Sequence, residues 1–358
     1  MNKITWYFSW TCCVVMLFLS VGQKATAESA TSDPVARPLF TSDSTLAITI
    51  EGPISTVMRN RDETEEYPAT LKFTGADGTE HQLDIKLRVR GKFRRKRETC
   101  NFAPLRVNFQ KKQVGGTVFA GQDKIKLVTD CKRSSKKFQQ VLLKEYLTYK
   151  ILNLMSDQSF GARLLRVTYV DTDKKGKARD SYAFFIEEKK NIAERLGMEL
   201  IKIERTKYSA LNRPRSNFVN IYQYLIGNTD FSLIAGPDET DCCHNAVIYQ
   251  KDTDPYTSIP YDFDHAGIVD APYAEPNPKF KISSVKKRVY RGRCANNGHL
   301  DSTLQQFLAK RDEITQLIEG LEGFDARSIK TTLAYVDGFY RDVSDPKSVQ
   351  KKFIKKCS

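Results

Sequence analysis

Leu83, Ile85, Leu87 and Val89 alternate without a break with Asp84, Lys86, Arg88 and Arg90. A period of two gathers the four apolar side chains on one face of an extended chain, whereas a helix would spread them around its circumference. The segment is therefore a half-buried strand, and a sheet must form around it. Residues 46–50, 71–73, 105–109 and 124–128 read as further strands, and 164–171 with 182–186 as a hairpin across the polar turn 172–180, which contains Gly176. Residues 138–154 give the clearest helix, with Phe138, Leu142, Tyr149 and Leu152 on one stripe. Glu145 falls on that same stripe and needs a partner, because an unpaired buried carboxylate is costly. Phe218, Ile221, Tyr222 and Leu225 predict a short amphipathic helix over 217–226, stopped by Gly227. A small hairpin, 246–250 with 257–260, and helices over 302–321, 325–343 and the basic stretch 347–356 complete the pattern.

The chain's 358 residues, 40% of them hydrophobic, are enough to bury a real core. Residues 1–27 read as a secretory signal: Lys3 supplies a positive start, 6–21 an apolar stretch, and Ala25-Thr26-Ala27 a small-residue cleavage site. An uncleaved N-terminal membrane anchor is the alternative. Either address, secreted or periplasmic, places the body of the chain in an oxidising compartment. Residues 28–45 follow as a flexible lead.

Six cysteines lie beyond residue 27, namely Cys100, Cys131, Cys242, Cys243, Cys294 and Cys357. An even set outside the cytosol suggests disulfides, although six cysteines allow 15 pairings. The favoured pairs are Cys100 with Cys131, and Cys242 or Cys243 with Cys294. Zinc is the weaker reading of Cys242-Cys243-His244, since no second Cys or His pair completes a tetrahedral set. The net charge is +14, and +12 without Lys3 and Lys24, which points to anionic partners such as phosphate, an acidic polymer or anionic lipid. Nucleic acid fits the charge but not the exported address.

The chemistry concentrates between Asp230 and Asp264. Asp230 follows a helix, Asn245 precedes a short strand, and Asp262-Phe263-Asp264 ends the next strand. Phosphoryl transfer needs such a set: a carboxylate to orient and deprotonate a hydroxyl, and hard oxygen ligands to hold magnesium against a triphosphate. Upstream, the basic turn after Arg90-Gly91, a strand lysine (Lys126, with Lys124 on the same face) and the helix acid Glu145 fill the phosphate-positioning half of a kinase pattern.

These residues resemble the atypical kinases related to spore coat protein H (CotH), over roughly 83–267. The features are the Arg90-Gly91 turn, the apolar helix around Glu145, the strand ending in Glu187 and Glu188, the Asn228-x-Asp230 step with Asn245, and the aromatic Tyr261-to-Asp264 motif. The last two steps are also similar to those of HipA-like kinases. The resemblance implies an α+β, two-lobed protein-kinase-like fold, with a β-rich N-terminal lobe over 46–188 and a mainly helical C-terminal lobe over 189–358. It implies an exported kinase that uses ATP and Mg2+, with Mn2+ as a substitute, on a hydroxyl-bearing protein or envelope acceptor. Asp230 is then the base, Asn245, Asp262 and Asp264 the metal ligands, and Arg90, Lys126, Glu145 and Glu187 the nucleotide-binding residues.

Two features depart from that family. The loop continues as Lys92-Phe93-Arg94 where the family has Asn-Ser-Ser, and Asp230 stands 15 residues before Asn245, which leaves Asp241 as an alternative base. A plainer reading makes Lys126 and Glu145 a structural ion pair, residues 94–97 and 351–356 solvated basic stretches, and His244 and His265 packing residues. A non-catalytic secreted protein that binds anionic polymer or envelope is the competing function. Processing is the first testable consequence: N-terminal sequencing of the exported protein should begin at Glu28, and retention of residues 1–27 would establish the anchor instead.

Overall fold

The strand β1 (Leu46–Gly52) lies between two partners of opposite sense, and this decides the architecture. After it come α1 (Ile54–Asn60), β2 (Tyr67–Thr74), β3 (Glu80–Val89), β4 (Leu105–Phe109), β5 (Lys124–Thr129), α2 (Lys136–Met155), β6 (Ala162–Asp171) and β7 (Lys177–Ile186). β1 pairs antiparallel with β2 and parallel with β6, Leu46 opposite Leu165 through Gly52 opposite Asp171. With β7 between β5 and β6, the strands close into a barrel in the order β1-β2-β3-β4-β5-β7-β6. The structure, a computed structural model, describes residues 1–3, 5, 37–237 and 240–358. The signal expected at 1–27 lies almost wholly outside the described residues, as do the lead up to residue 36 and Asp238. Among the described residues no helix is long and apolar enough to cross a membrane.

The alternation of β3 is realised as expected: Leu83, Ile85, Leu87 and Val89 are buried in the barrel with Ile50, Leu71, Val107, Leu127, Leu165 and Phe185. The opposite faces of β5, β6 and β7 place Val128, Leu164, Phe184 and Ile186 in a second core with α2. That core continues through α3 (Lys189–Leu196) and α4 (Arg213–Ile226), then a separate sheet of β8 (Glu199–Leu200), β9 (Ala246–Gln250) and β10 (Thr257–Pro260) in the order β10-β9-β8. It ends with α5 (Leu300–Ala309), α6 (Arg311–Glu319), α7 (Ala326–Ser344) and α8 (Pro346–Val349).

The two-lobed protein-kinase-like fold is thus not what the chain forms. It builds a closed, seven-stranded mixed barrel with a small separate sheet and helices, and residues 34–358 make one compact unit. Local patterning recovers the strands, but closure depends on the parallel match of β1 with β6, which no period in either strand encodes. α4 also differs from a surface amphipathic helix, since every residue from Arg215 to Ile226 is buried. The helix expected over 302–321 breaks at Lys310 into α5 and α6.

The cysteine pairing is partly corrected. Cys100 bonds Cys131 as expected, but Cys242 bonds Cys243, and Cys294 bonds Cys357. The C-terminus folds back so that the Cys294 amide donates to the Ser358 carbonyl at 3.2 Å and the Ser358 amide to Gly292 at 3.0 Å, which sets Cys357 beside Cys294. Adjacent cysteines diverge only in extended chain, and Cys242-Cys243 lies in a bend. The crosslinks span 63, 31 and 1 residues, so loop entropy ranks them. Replacing the Cys294–Cys357 or Cys100–Cys131 pair with alanines should cost about 4 kcal/mol in denaturant unfolding, and the Cys242–Cys243 pair should cost far less.

Candidate active site

The β9–β10 hairpin aligns the first two candidate ligands. Its register sets Ala246 opposite Pro260, and the Tyr261 amide donates to the Asn245 carbonyl at 3.0 Å, which brings Asn245 beside Asp262. Both residues have left-handed backbone, φ 52° and 61°, which Asn and Asp tolerate better than most side chains but which still costs energy. Asp230 arrives from the end of α4. Gly227 terminates that helix at φ 67°, and the Asn228 side chain accepts from the Asp230 amide at 2.8 Å. The 15-residue interval then folds back on itself, with Ser232 donating to His244 at 2.9 Å and His244 to Ala235 at 3.1 Å.

Asn245 Nδ2 accordingly donates to the Asp230 carbonyl at 2.7 Å and to its Oδ2 at 3.0 Å, while His244 Nε2 sits 2.8 Å from Oδ1. Although burial pushes the Asp230 carboxyl up, the His244 hydrogen bond and charge hold it below the usual range. The same bond holds the His244 imidazole above its ordinary value. Asp241, the rival base, lines the same cleft but is exposed. Asp230 alone of the two is clamped against Asn245.

α2 supports Asp262-Phe263-Asp264 from behind. Glu145 and Tyr149 lie one turn apart, so both project to the same side. The Tyr149 hydroxyl accepts from the Asp262 amide at 2.9 Å. Glu145 meets Arg94 rather than a strand lysine, with Arg94 Nη1 at 2.8 Å from Oε2 and at 3.8 Å from Asp264 Oδ2. Tyr273 donates to the same Asp264 oxygen at 3.1 Å. Burial pushes the Glu145 and Asp262 carboxyls up; nearby Asp264 adds to this in both cases, and Arg94 opposes it. Arg94 therefore belongs to the site and not to a solvated turn. The unmatched acid on the apolar stripe was the sequence signal for it.

On the barrel side, Lys126 projects from the outer face of β5 and is buried, whereas Lys124 is exposed. Its ammonium lies 5.0 Å from the centre of the Tyr261 ring, and burial, with Arg90 nearby, brings its pKa down to about 8. Arg90, Lys126, Lys189 and Lys202 carry no ion pair among the described residues. Arg90, Lys126, Glu145, Asp230, Asn245, Asp262 and Asp264 all line one cleft of about 540 Å³, closed on another side by Val128, Ile186, Leu200, Ile201 and Val247. Glu187 does not join them: its carboxylate is turned to the Gly161 amide at 2.9 Å and to Arg195 at 3.0 Å. A cavity of about 570 Å³ against β1, β2, β6 and β7 is less suited to a ligand, because Lys72 pairs with Glu51 and Arg166 with Glu322.

Among the described residues no three His, Cys, Asp or Glu side chains close around one metal position. Asp262, Asp264 and Asn245 line the cleft together, and their two carboxylates and amide oxygen are hard-oxygen donors of the kind magnesium takes. No family model matches the chain, and no curated protein matches it.

The Asp230–His244 pair makes a pH prediction. A raised imidazole pKa contributes stability below the free value of about 6.5 that fades as pH rises through the folded value, and a lowered carboxyl contributes above about 3.9, fading as pH falls. The pair therefore contributes in full between about 3.9 and 6.5 and is lost as pH passes beyond either folded value. NMR titration should place His244 above ordinary imidazole in the wild type, and Asp230→Asn should return it toward about 6.5.

Proposed function

We propose that the cleft binds a nucleoside triphosphate with a divalent cation and transfers the terminal phosphoryl group to a hydroxyl of a protein or envelope acceptor. The observation that carries this reading is the convergence, from five separate segments, of a clamped carboxylate, hard-oxygen ligands and unpaired cations in one cleft. Its volume of about 540 Å³ lies within the range of small-molecule sites.

Each residue has a role that follows from its place. Arg90 and Lys126 are cations without a protein counter-ion, and a polyphosphate would supply one. The apolar wall of Val128, Ile186 and Leu200 suits the flat face of a nucleobase. Asp262, Asp264 and Asn245 Oδ1 are the groups that would hold Mg2+ or Mn2+, which commonly take one or two protein carboxylates and complete their shell with phosphate oxygens and water. When bound, the cation supplies charge neutralisation on the phosphates. Asp230 is ionised and oriented by His244 and Asn245, ready to accept the proton of the acceptor hydroxyl as that oxygen bonds to phosphorus and the diphosphate leaves.

The roles separate in experiment. Asp262→Ala should abolish the magnesium-dependent thermal shift with ATP, whereas Asp230→Ala should keep the shift and lower phosphate transfer by about 10²–10⁴. Transfer that survives Asp230→Ala and disappears in Asp241→Ala would move the base to Asp241. A wild type that is shifted by polyanions but by no nucleotide with any divalent ion would replace the kinase reading with the anionic-polymer one.

A further inference from the structure

Three carboxylates, Glu145, Asp262 and Asp264, share one wall of the cleft, and one guanidinium stands among them. Arg94 is only 11% exposed at its side chain, while its neighbour Arg95 is 30% exposed and pairs at the surface with Glu63. It is fixed on several sides. Nη1 holds Glu145 at 2.8 Å, Nη2 donates to the Thr129 carbonyl at 2.9 Å, and the Tyr273 ring lies 6.0 Å away. Phe93 anchors the loop next to it against His265 and Tyr273, with ring centres 5.6 and 5.9 Å apart. An arginine side chain does not give up its proton in a protein, so this charge is permanent.

Building on the nucleotide reading above, we infer that the cleft is a single-cation site in which Arg94 supplies the positive charge that a second divalent ion would otherwise bring. Protein kinases hold two magnesium ions at the triphosphate. Arg94 lies 2.8 Å from Glu145 and 3.8 Å from Asp264, so two of the three acids on this wall already face a resident cation, and Asp262 is the one with which Arg94 forms no ion pair. The guanidinium's position, 3.8 Å from Asp264 Oδ2, leaves that oxygen facing a resident cation instead of a second ion. Arg94 is in this sense a positioning residue: it acts through Glu145 and Asp264, and sets how many ions the site accepts.

A purely structural Arg94 and this role predict different signs. Mn2+ would be titrated into the full-length mature protein with and without a non-hydrolysable ATP analogue, and bound ions counted by electron paramagnetic resonance. The wild type should bind one ion per chain with the analogue. Arg94→Met should bind two, or should bind Mn2+ alone on the order of tenfold more tightly, since a like charge a few ångströms away has been removed from a partly desolvated site. Glu145→Gln, which releases Arg94 toward Asp264, should weaken Mn2+ binding, and Arg94→Lys should keep the wild-type count. Two ions in the wild type, or weaker Mn2+ binding in both Arg94→Met and Glu145→Gln, would overturn the inference and leave the nucleotide reading intact. A wild type that binds neither Mn2+ nor the analogue would overturn both. If Arg94→Met does not fold, the wild-type count decides: one ion with the analogue keeps the inference and two overturn it.

Discussion

One buried carboxylate organises the functional half of this molecule. Glu145 is almost completely buried on α2, and a charge in that position is tolerated only with a partner of opposite sign and good geometry. The partner comes from the loop after β3, so meeting the requirement of Glu145 pins Arg94, and with it the wall of the cleft, to the helix. The same guanidinium approaches Asp264, whose segment is held through Asp262 by the next turn of the same helix, at the buried Tyr149. Loop, helix and the end of β10 are therefore one electrostatic unit. A change at any of the three is expected to be felt at the others, because neighbours in one network do not behave additively.

α2 can serve as this platform because it is packed on both flanks. Its apolar side chains share a core with the outer faces of β5, β6 and β7, and that core continues into α4 and the β8–β10 sheet. Closure of the barrel by β1 and β6 leaves β6 and β7 with no free edge, so the surface on which α2 rests is rigid. A cleft that must hold charged groups in place benefits from such support, since polar groups aimed in advance cost no reorganisation when a charged ligand arrives.

Much of the site was legible in the sequence because the chemistry was carried by residues at strand and helix ends. Asp230, Asn245 and Asp262 could be found from a helix stop, a short hairpin and an aromatic Asp-x-Asp, and the structure brings them together with Arg90, Lys126, Glu145 and Asp264. For Glu187 the resemblance implied a place on the strand beside the nucleotide; it directly follows that strand, but its carboxylate turns away from the cleft, because a strand terminus shows where the backbone goes but not which way the side chain turns. Its carboxylate pairs with Arg195, eight residues on, in the last turn of α3. The barrel and the Cys294–Cys357 bridge were not legible, since both depend on contacts between segments distant in sequence, and neither β1 nor Cys357 bears a local mark of its partner; the Cys242–Cys243 bridge, between neighbours, was missed because the chain there was expected to be extended. Arg94 is an intermediate case. Nothing distinguishes it within Arg94-Arg95-Lys96-Arg97, but the unpaired acid on the α2 stripe required some cation without marking which one.

The distribution of charge around the cleft follows the same physics. Acids gather where α2 and β10 meet, and cations without partners gather where β3 and β5 end. In isolation each group is unfavourable: burial pushes Asp262 up, and Lys126 is brought down to about 8 by burial and by Arg90. The two clusters offset each other only in part: Arg90 and Lys126 oppose the rise at Asp262, but Arg94 is paired with Glu145 and the ammonium of Lys126 rests against the Tyr261 ring. A folded chain keeps such opposed, unrelieved groups a few side chains apart only at some cost to its stability, and sites that act on charged ligands are where that cost is commonly found. A ligand that is itself divided, with negative phosphates toward Lys126 and Arg90 and a cation toward Asp262, relieves both clusters in one event. A plain polyanion would relieve only the basic side and leave Asp262 as it was, and the proposal of a metal-bound triphosphate over a simple acidic polymer rests on this asymmetry.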